Sequence, residues 1–195
     1  MYSAVSSRAN TRVSDIAFCG LAIALMAVGA WVTVPLGPVP FTLQTFVMML
    51  ALLTLTPKQG VIAIVGYVLL GAVGVPVFAG MSGGIGVIMG PTGGFIWGWI
   101  LGAVVAGLIR FGFDKAVAGK DQKQSAAKKL AVSIVAILAF QVILYSCGLF
   151  QLSLVASLSL PEAFAVGAAP FLIIDAAKSV AAIAIAGAVN AALGK

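Results

Sequence analysis

The chain contains no histidine and only five acidic residues among 195. Lacking histidine, it lacks the commonest metal ligand and the side chain best suited to proton shuttling near neutral pH. Charged residues of both signs make up 8% of the sequence, against roughly a quarter in soluble domains. So little charge cannot cover a folded surface in water. The two cysteines, Cys19 and Cys147, lie in apolar segments, where packing is the expected role. The chain also lacks GxxxxGK[ST], zinc-ligand spacing, a catalytic triad and a series of acids for proton relay. In GGIGVIMG, Met89 stands where GxGxxG needs its third glycine, and no ribose-binding acid follows. Neither an enzyme nor a cofactor or metal site is expected.

What is present is hydrocarbon. Hydrophobic residues make up 62% of the chain, and the mean hydropathy is +1.19. The composition is that of an integral membrane protein, expected to form a single membrane domain over residues 1–195. Apolar segments fall at 16–34, 41–55, 61–77, 93–113, 130–150 and 168–192, which predicts an all-α protein with six transmembrane helices. A spanning helix needs about 20 residues, so the second and third segments are short. The first segment is too long for a signal-peptide core and is expected to be retained.

Basic residues alternate between connections. Arg8 and Arg12 precede the first span, Lys58 lies between the second and third, and Lys195 follows the sixth. Arg110, Lys115, Lys120, Lys123, Lys128 and Lys129 cluster between the fourth and fifth. The connections at 35–40, 71–92 and 151–169 carry no Lys or Arg. The positive-inside rule then places both termini in the cytoplasm. The basic cluster reads as topology and contact with anionic membrane lipid, with no nucleic acid as partner.

The outer connections are unusual. Pro35, Pro38 and Pro40 end the first span, and Gln44 follows one turn into the second. A Gln there needs partners for both ends of its amide, either by bridging helices or by facing a ligand cavity. The connection at 71–92 is glycine-dense and uncharged, with Val, Phe, Ile and Met between its glycines. Such backbone at membrane depth must be covered by protein or line a cavity, so a folded-in lid is expected rather than a linker.

In the sixth span, Asp175 and Lys178 interrupt the run FLIIDAAKSVAAIAIAGA. A charge at the bilayer centre costs about 2.5–3.5 kcal/mol on insertion scales. Three residues apart, the two share a helical face, which Phe171, Ala182 and Ala186 extend. With a rise of about 1.5 Å per residue, they lie roughly 10 and 15 Å below Ala168. They are expected to face the bundle interior, either as a self-satisfied pair or as a ligand site open to the outside.

With VPFTLQT, GVPVFAG, GPTGGF and the Asp175–Lys178 pair in this order, nearly the whole chain resembles the BioY family. These are the biotin-specific substrate-binding (S) components of energy-coupling-factor (ECF) transporters. The resemblance implies six helices, a biotin site near the extracellular side covered by the glycine-rich loop, and uptake across a prokaryotic cell membrane. It implies three partners besides biotin: a transmembrane coupling protein and two cytoplasmic ATPases. It assigns ligand contacts to Asp175 and Lys178, and to Thr42, Gln44, Phe78, Ser82, Thr92 and Phe95 in the matching outer segments, with Trp97 or Trp99 as an aromatic wall. It assigns Gly20 and Ala24, at small-xxx-small spacing in the first span, to the surface that meets the coupling protein. The alternatives are an S component for another vitamin and a solitary ion-coupled carrier.

Overall fold

In the computed structural model, residues 2–35, 37–117 and 126–193 are described. Lys120, Lys123 and Lys195 lie outside them, as do the side chains of Arg8 and Arg12. The described chain is almost entirely helical. Helix α1 spans Tyr2–Trp31, α2 Gln44–Thr54, α3 Pro57–Ala72, α4 Ile85–Met89, α5 Gly93–Val117, α6 Ala126–Val155, α7 Leu160–Gly167 and α8 Leu172–Ala192. Four helical stretches are long and apolar enough to cross a membrane: Val13–Trp31, Gly93–Ala116, Ala127–Val155 and Leu172–Ala192. Helices α2 and α3, with 11 and 16 residues, are apolar but shorter.

Local chemistry sets several boundaries. Between α2 and α3, Thr56 and Gln59 form a capping box: the Thr56 N–H donates to Gln59 Oε1 at 3.0 Å, and the Gln59 N–H to Thr56 Oγ1 at 3.4 Å. Pro57 occupies the first helical position, where its missing N–H costs nothing. Gln59 Nε2 also donates to Asp15 Oδ1 at 2.7 Å, tying the start of α3 to α1.

The C-terminal end of α2 is closed by side chains. Arg110 Nη1 donates to the carbonyls of Leu52 and Leu55, and Asn190 Nδ2 to that of Leu53 at 3.0 Å. Carbonyls at a helix C-terminus have no partner within the helix and need one from elsewhere. Arg110 therefore belongs to α5 and seals α2; it is not one of the connection charges it resembles in the sequence.

Helices α5 and α6 pack more extensively than any other pair. Gly94, Gly98 and Gly102 form one stripe of α5. A Cβ on them would stand 2.3 Å from the Cys147 carbonyl oxygen, 2.8 Å from Leu144 Cα and 2.9 Å from Phe140 Cδ2. Such contacts require glycine, and in hydrocarbon close backbone approach replaces the hydrophobic effect as the source of helix association. Helix α8 packs chiefly on α2.

Three connections hold structure beyond the six apolar segments, and α7 lies in the one at 151–169. At 33–42, two-residue strands β1 (Thr33–Val34) and β2 (Phe41–Thr42) pair antiparallel, with Thr33 opposite Thr42 and Val34 opposite Phe41. The connection after α3 forms a 3-10 turn at Ala79–Met81 and then α4. Gly80 sits there at φ 65°, in the left-handed region, and its N–H donates to Thr33 Oγ1 at 3.3 Å. Gln151 Nε2 from α6 donates to the carbonyls of Ile88 and Gly90 at 2.9 and 2.8 Å. The glycine-rich connection is thus folded onto both neighbouring elements and is not a linker.

Candidate ligand-binding site

Helix α8 buries one stripe: Phe171 just before its first residue, then Asp175, Lys178, Ala182 and Ala186. Asp175 lies in the first turn of the helix, where the macrodipole favours a negative charge. Because the helix begins at Leu172 and not near Ala168, the pair sits closer to the helix start than the sequence predicts, at roughly 5 and 9 Å along the axis. Among the described residues, four polar or charged side chains are buried: Thr42, Gln44, Asp175 and Lys178.

These groups are connected. Lys178 Nζ donates to Asp175 Oδ1 at 2.8 Å, to the Thr42 carbonyl at 2.8 Å and to Thr45 Oγ1 at 3.3 Å. Its ammonium also lies 4.2 Å from the centroid of the Phe41 ring, within cation–π range. Tyr145 Oη, from α6, donates to Asp175 Oδ2 at 2.6 Å. Gln44 Nε2 donates to Tyr67 Oη, and Tyr67 Oη to the Val77 carbonyl. Gln44 thus bridges α2 to α3 and also lines a cavity.

The cavity has a volume of about 150 Å3, roughly ten times the space a single water requires. Its wall includes Thr42, Gln44, Phe78, Ser82, Thr92, Phe95, Asp175 and Lys178. All eight residues assigned to ligand contact in the sequence therefore converge on one space, although they come from separate parts of the chain. Trp99 lines it too, while Trp97 is 48% exposed and does not. Tyr67, Phe78 and Trp99 form an aromatic cluster, with centroids 5.8 Å apart for Tyr67–Phe78 and 6.3 Å for Phe78–Trp99. Phe95 and Tyr145 meet edge to face at 6.3 Å on the other side.

Sequence reasoning missed Tyr145, Thr45 and Phe41. Tyr145 carried a usable signal, a hydroxyl in an apolar span, where such a group needs a partner. Thr45 and Phe41 lie in the VPFTLQT motif, but only the fold shows them beside Lys178.

The arrangement has an asymmetric chemistry. Lys178 has three N–H protons, and all three are directed to acceptors of the protein. Asp175 accepts one hydrogen bond on each oxygen, while a carboxylate has about four acceptor positions. Acceptor capacity thus remains at Asp175, next to aromatic and aliphatic walls. Away from the cavity, Gly20 and Ala24 lie exposed on α1 together with Ala17, and nothing stands within 4 Å of a Cβ built on Gly20.

These features define the class: a small helical protein of membrane composition, folded around a solute-sized cavity that holds a buried ion pair. The chain belongs to the BioY family, which it matches over residues 4–195. It is 42% identical over 167 residues to the biotin transporter BioY of Thermotoga maritima, covering 86% of this chain and 90% of that protein. A probable biotin transporter BioY of Pyrococcus horikoshii is 37% identical over 175 residues, covering 90% and 95%. The fold matches a crystal structure of the S-component for biotin from an ECF-type ABC transporter, with a TM-score of 0.77 over 93% of both chains at 23% identity.

Proposed function

We propose that this chain binds biotin and serves as the substrate-binding component of an ECF-type transporter. The observation that carries this reading is the cavity that joins the Asp175–Lys178 pair to the rings of Phe78, Phe95 and Trp99. Biotin has a compact bicyclic body, two ureido N–H donors and a carboxylate on a flexible tail. An apolar enclosure with a few placed polar groups suits such a molecule. Thr42, Gln44, Ser82 and Thr92 supply further polar groups on the same wall. Asp175 has acceptors to spare for ureido N–H groups, and Lys178 holds Asp175 and the Thr42 segment in place.

The wider assembly follows from the same reading. Six spans, with α2 and α3 as the short ones, place both termini in the cytoplasm of a prokaryotic cell. They form one membrane domain in the cytoplasmic membrane, with the cavity towards the outside and the connection at 71–92 covering it. The exposed stripe of Ala17, Gly20 and Ala24 on α1 meets a transmembrane coupling protein, since small residues let a second helix approach closely. Two cytoplasmic ATPases supply the energy, because the chain has no nucleotide motif. It is a transport subunit and not an enzyme.

Equilibrium binding of biotin to the purified chain in detergent tests the reading, with riboflavin, thiamine and folate as competitors. Selective binding of biotin is expected. Displacement of biotin by another vitamin at equal concentration, or no binding of biotin, would overturn it. Uptake that needs no ATPase and collapses with the proton gradient would instead mark a solitary carrier.

A further inference from the structure

Two aromatic rings of the cavity wall are each backed by a glycine on a neighbouring helix. A Cβ on Gly71 of α3 would stand 2.1 Å from Phe78 Cζ and 2.4 and 2.5 Å from Cε1 and Cε2. A Cβ on Gly148 of α6 would stand 2.3 Å from both Cδ1 and Cε1 of Phe95. Non-bonded carbons settle at about 3.5–4.0 Å, so either methyl would displace its ring by more than an ångström.

These two glycines differ from those that join α5 to α6. At Gly94 and Gly98 an added Cβ meets backbone atoms of α6, so the helices themselves would have to part. At Gly71 and Gly148 the nearest atoms all belong to one phenylalanine side chain. There the helix can stay and the ring must move. Phe78 is confined elsewhere by Tyr67 and Trp99, and Phe95 by Tyr145. Both rings are buried and both border the cavity. The open direction is into the cavity.

We propose that Gly71 and Gly148 are positioning residues that set the width of the cavity, by giving Phe78 and Phe95 room to withdraw from it. They touch no ligand themselves. They determine how bulky a ring system the site admits, and Gly148 also keeps Phe95 from pressing on Tyr145 and so on Asp175. This rests on the reading of the cavity as a biotin site and deepens it.

The test is equilibrium binding of biotin and of desthiobiotin, whose sulfur-bearing ring is absent, to the full-length purified chain. The variants are Gly148→Ala, Gly148→Ala/Phe95→Leu, Gly71→Ala and Gly71→Ala/Phe78→Leu. Each single variant is expected to weaken biotin roughly tenfold or more, as overpacking of this size does, and to weaken desthiobiotin less. Each double variant is expected to regain most of the loss, because the smaller side chain no longer has to enter the cavity. Melting temperature and helical content, measured on the same samples, separate a narrowed site from a damaged fold.

Unchanged affinity in both single variants, or double variants whose losses add, would overturn the proposal while leaving the functional reading intact. No biotin binding by the unsubstituted chain would overturn that reading and this refinement with it. A single variant that cannot be purified shifts the test to its double variant: recovery of fold and binding supports the proposal. Failure of the double variant to fold overturns it, since the clash would then lie in the backbone.

Discussion

Lys178 Nζ lies 2.8 Å from Asp175 Oδ1 one helical turn away, and its other two protons go to the Thr42 carbonyl and Thr45 Oγ1. The pair is therefore buried and hydrogen-bonded to groups of the protein itself. Removing one member leaves the other as an uncompensated charge in a low dielectric, which typically costs about 3–5 kcal/mol. Replacing both with neutral residues of similar size costs far less. Lys178→Met alone is expected to lower the melting temperature markedly, and Asp175→Asn/Lys178→Met to restore most of it. The double variant should nevertheless fail to bind biotin. Binding of biotin by the double variant at the original affinity would remove the pair from the site.

Tyr145 offers a narrower test. Its hydroxyl donates to Asp175 Oδ2 at 2.6 Å, while its ring meets Phe95 edge to face. Tyr145→Phe deletes the first contact and keeps the second. A hydrogen bond to a charged group contributes about 1.5–3 kcal/mol. Its loss should lower the melting temperature; if that bond also orients Asp175 towards the ligand, biotin affinity should fall about tenfold or more as well. An unaltered dissociation constant would show that Asp175 needs no help from α6.

Helical periodicity makes the buried stripe of α8 legible from the sequence. Phe171, Asp175, Lys178, Ala182 and Ala186 recur at helical spacing, and all five are buried. The eight residues expected to contact the ligand are named through resemblance, since they lie in the matching outer segments and in the sixth span, and the fold gathers all eight around one cavity. Three things stay hidden for physical reasons. Arg110 sits at the end of an apolar span, where a basic residue ordinarily marks topology; its link to Leu52 and Leu55 bridges more than fifty residues of sequence. The β1–β2 pair and α4 are too short to show a period of 2 or 3.6. The stripe of Gly94, Gly98 and Gly102 is hard to single out in a chain with 23 glycines.

That stripe makes a stability prediction of its own. At Gly98 an added Cβ would lie 2.8 Å from Leu144 Cα and 3.0 Å from its carbonyl oxygen, and neither atom can turn away as a side chain can. Gly98→Val should part α5 from α6 locally, at a cost of about 1–3 kcal/mol or more from overpacking. Gly112→Val, where nothing lies within 4 Å of an added Cβ, is the matched control and should cost little, since glycine has the lower helix propensity of the two residues. Thermal unfolding in a single detergent compares them. Equal melting temperatures for the two variants would contradict the close approach of α5 and α6.

Arg110 separates a role in topology from a role in capping. A positive charge that only fixes orientation can be Arg or Lys alike, so Arg110→Lys would be silent if the positive-inside rule were its whole purpose. The structure instead places one guanidinium nitrogen, Nη1, where it serves the carbonyls of both Leu52 and Leu55. A lysine side chain is shorter, so its ammonium falls short of the position that Nη1 occupies. Arg110→Lys is therefore expected to lower the melting temperature moderately, and Arg110→Leu more, since each buried carbonyl left without a donor costs about 1–3 kcal/mol. The residue lies outside the cavity wall, so biotin affinity at low temperature should be nearly unchanged in Arg110→Lys. A melting temperature equal to that of the unsubstituted chain would return Arg110 to the role its sequence position suggests.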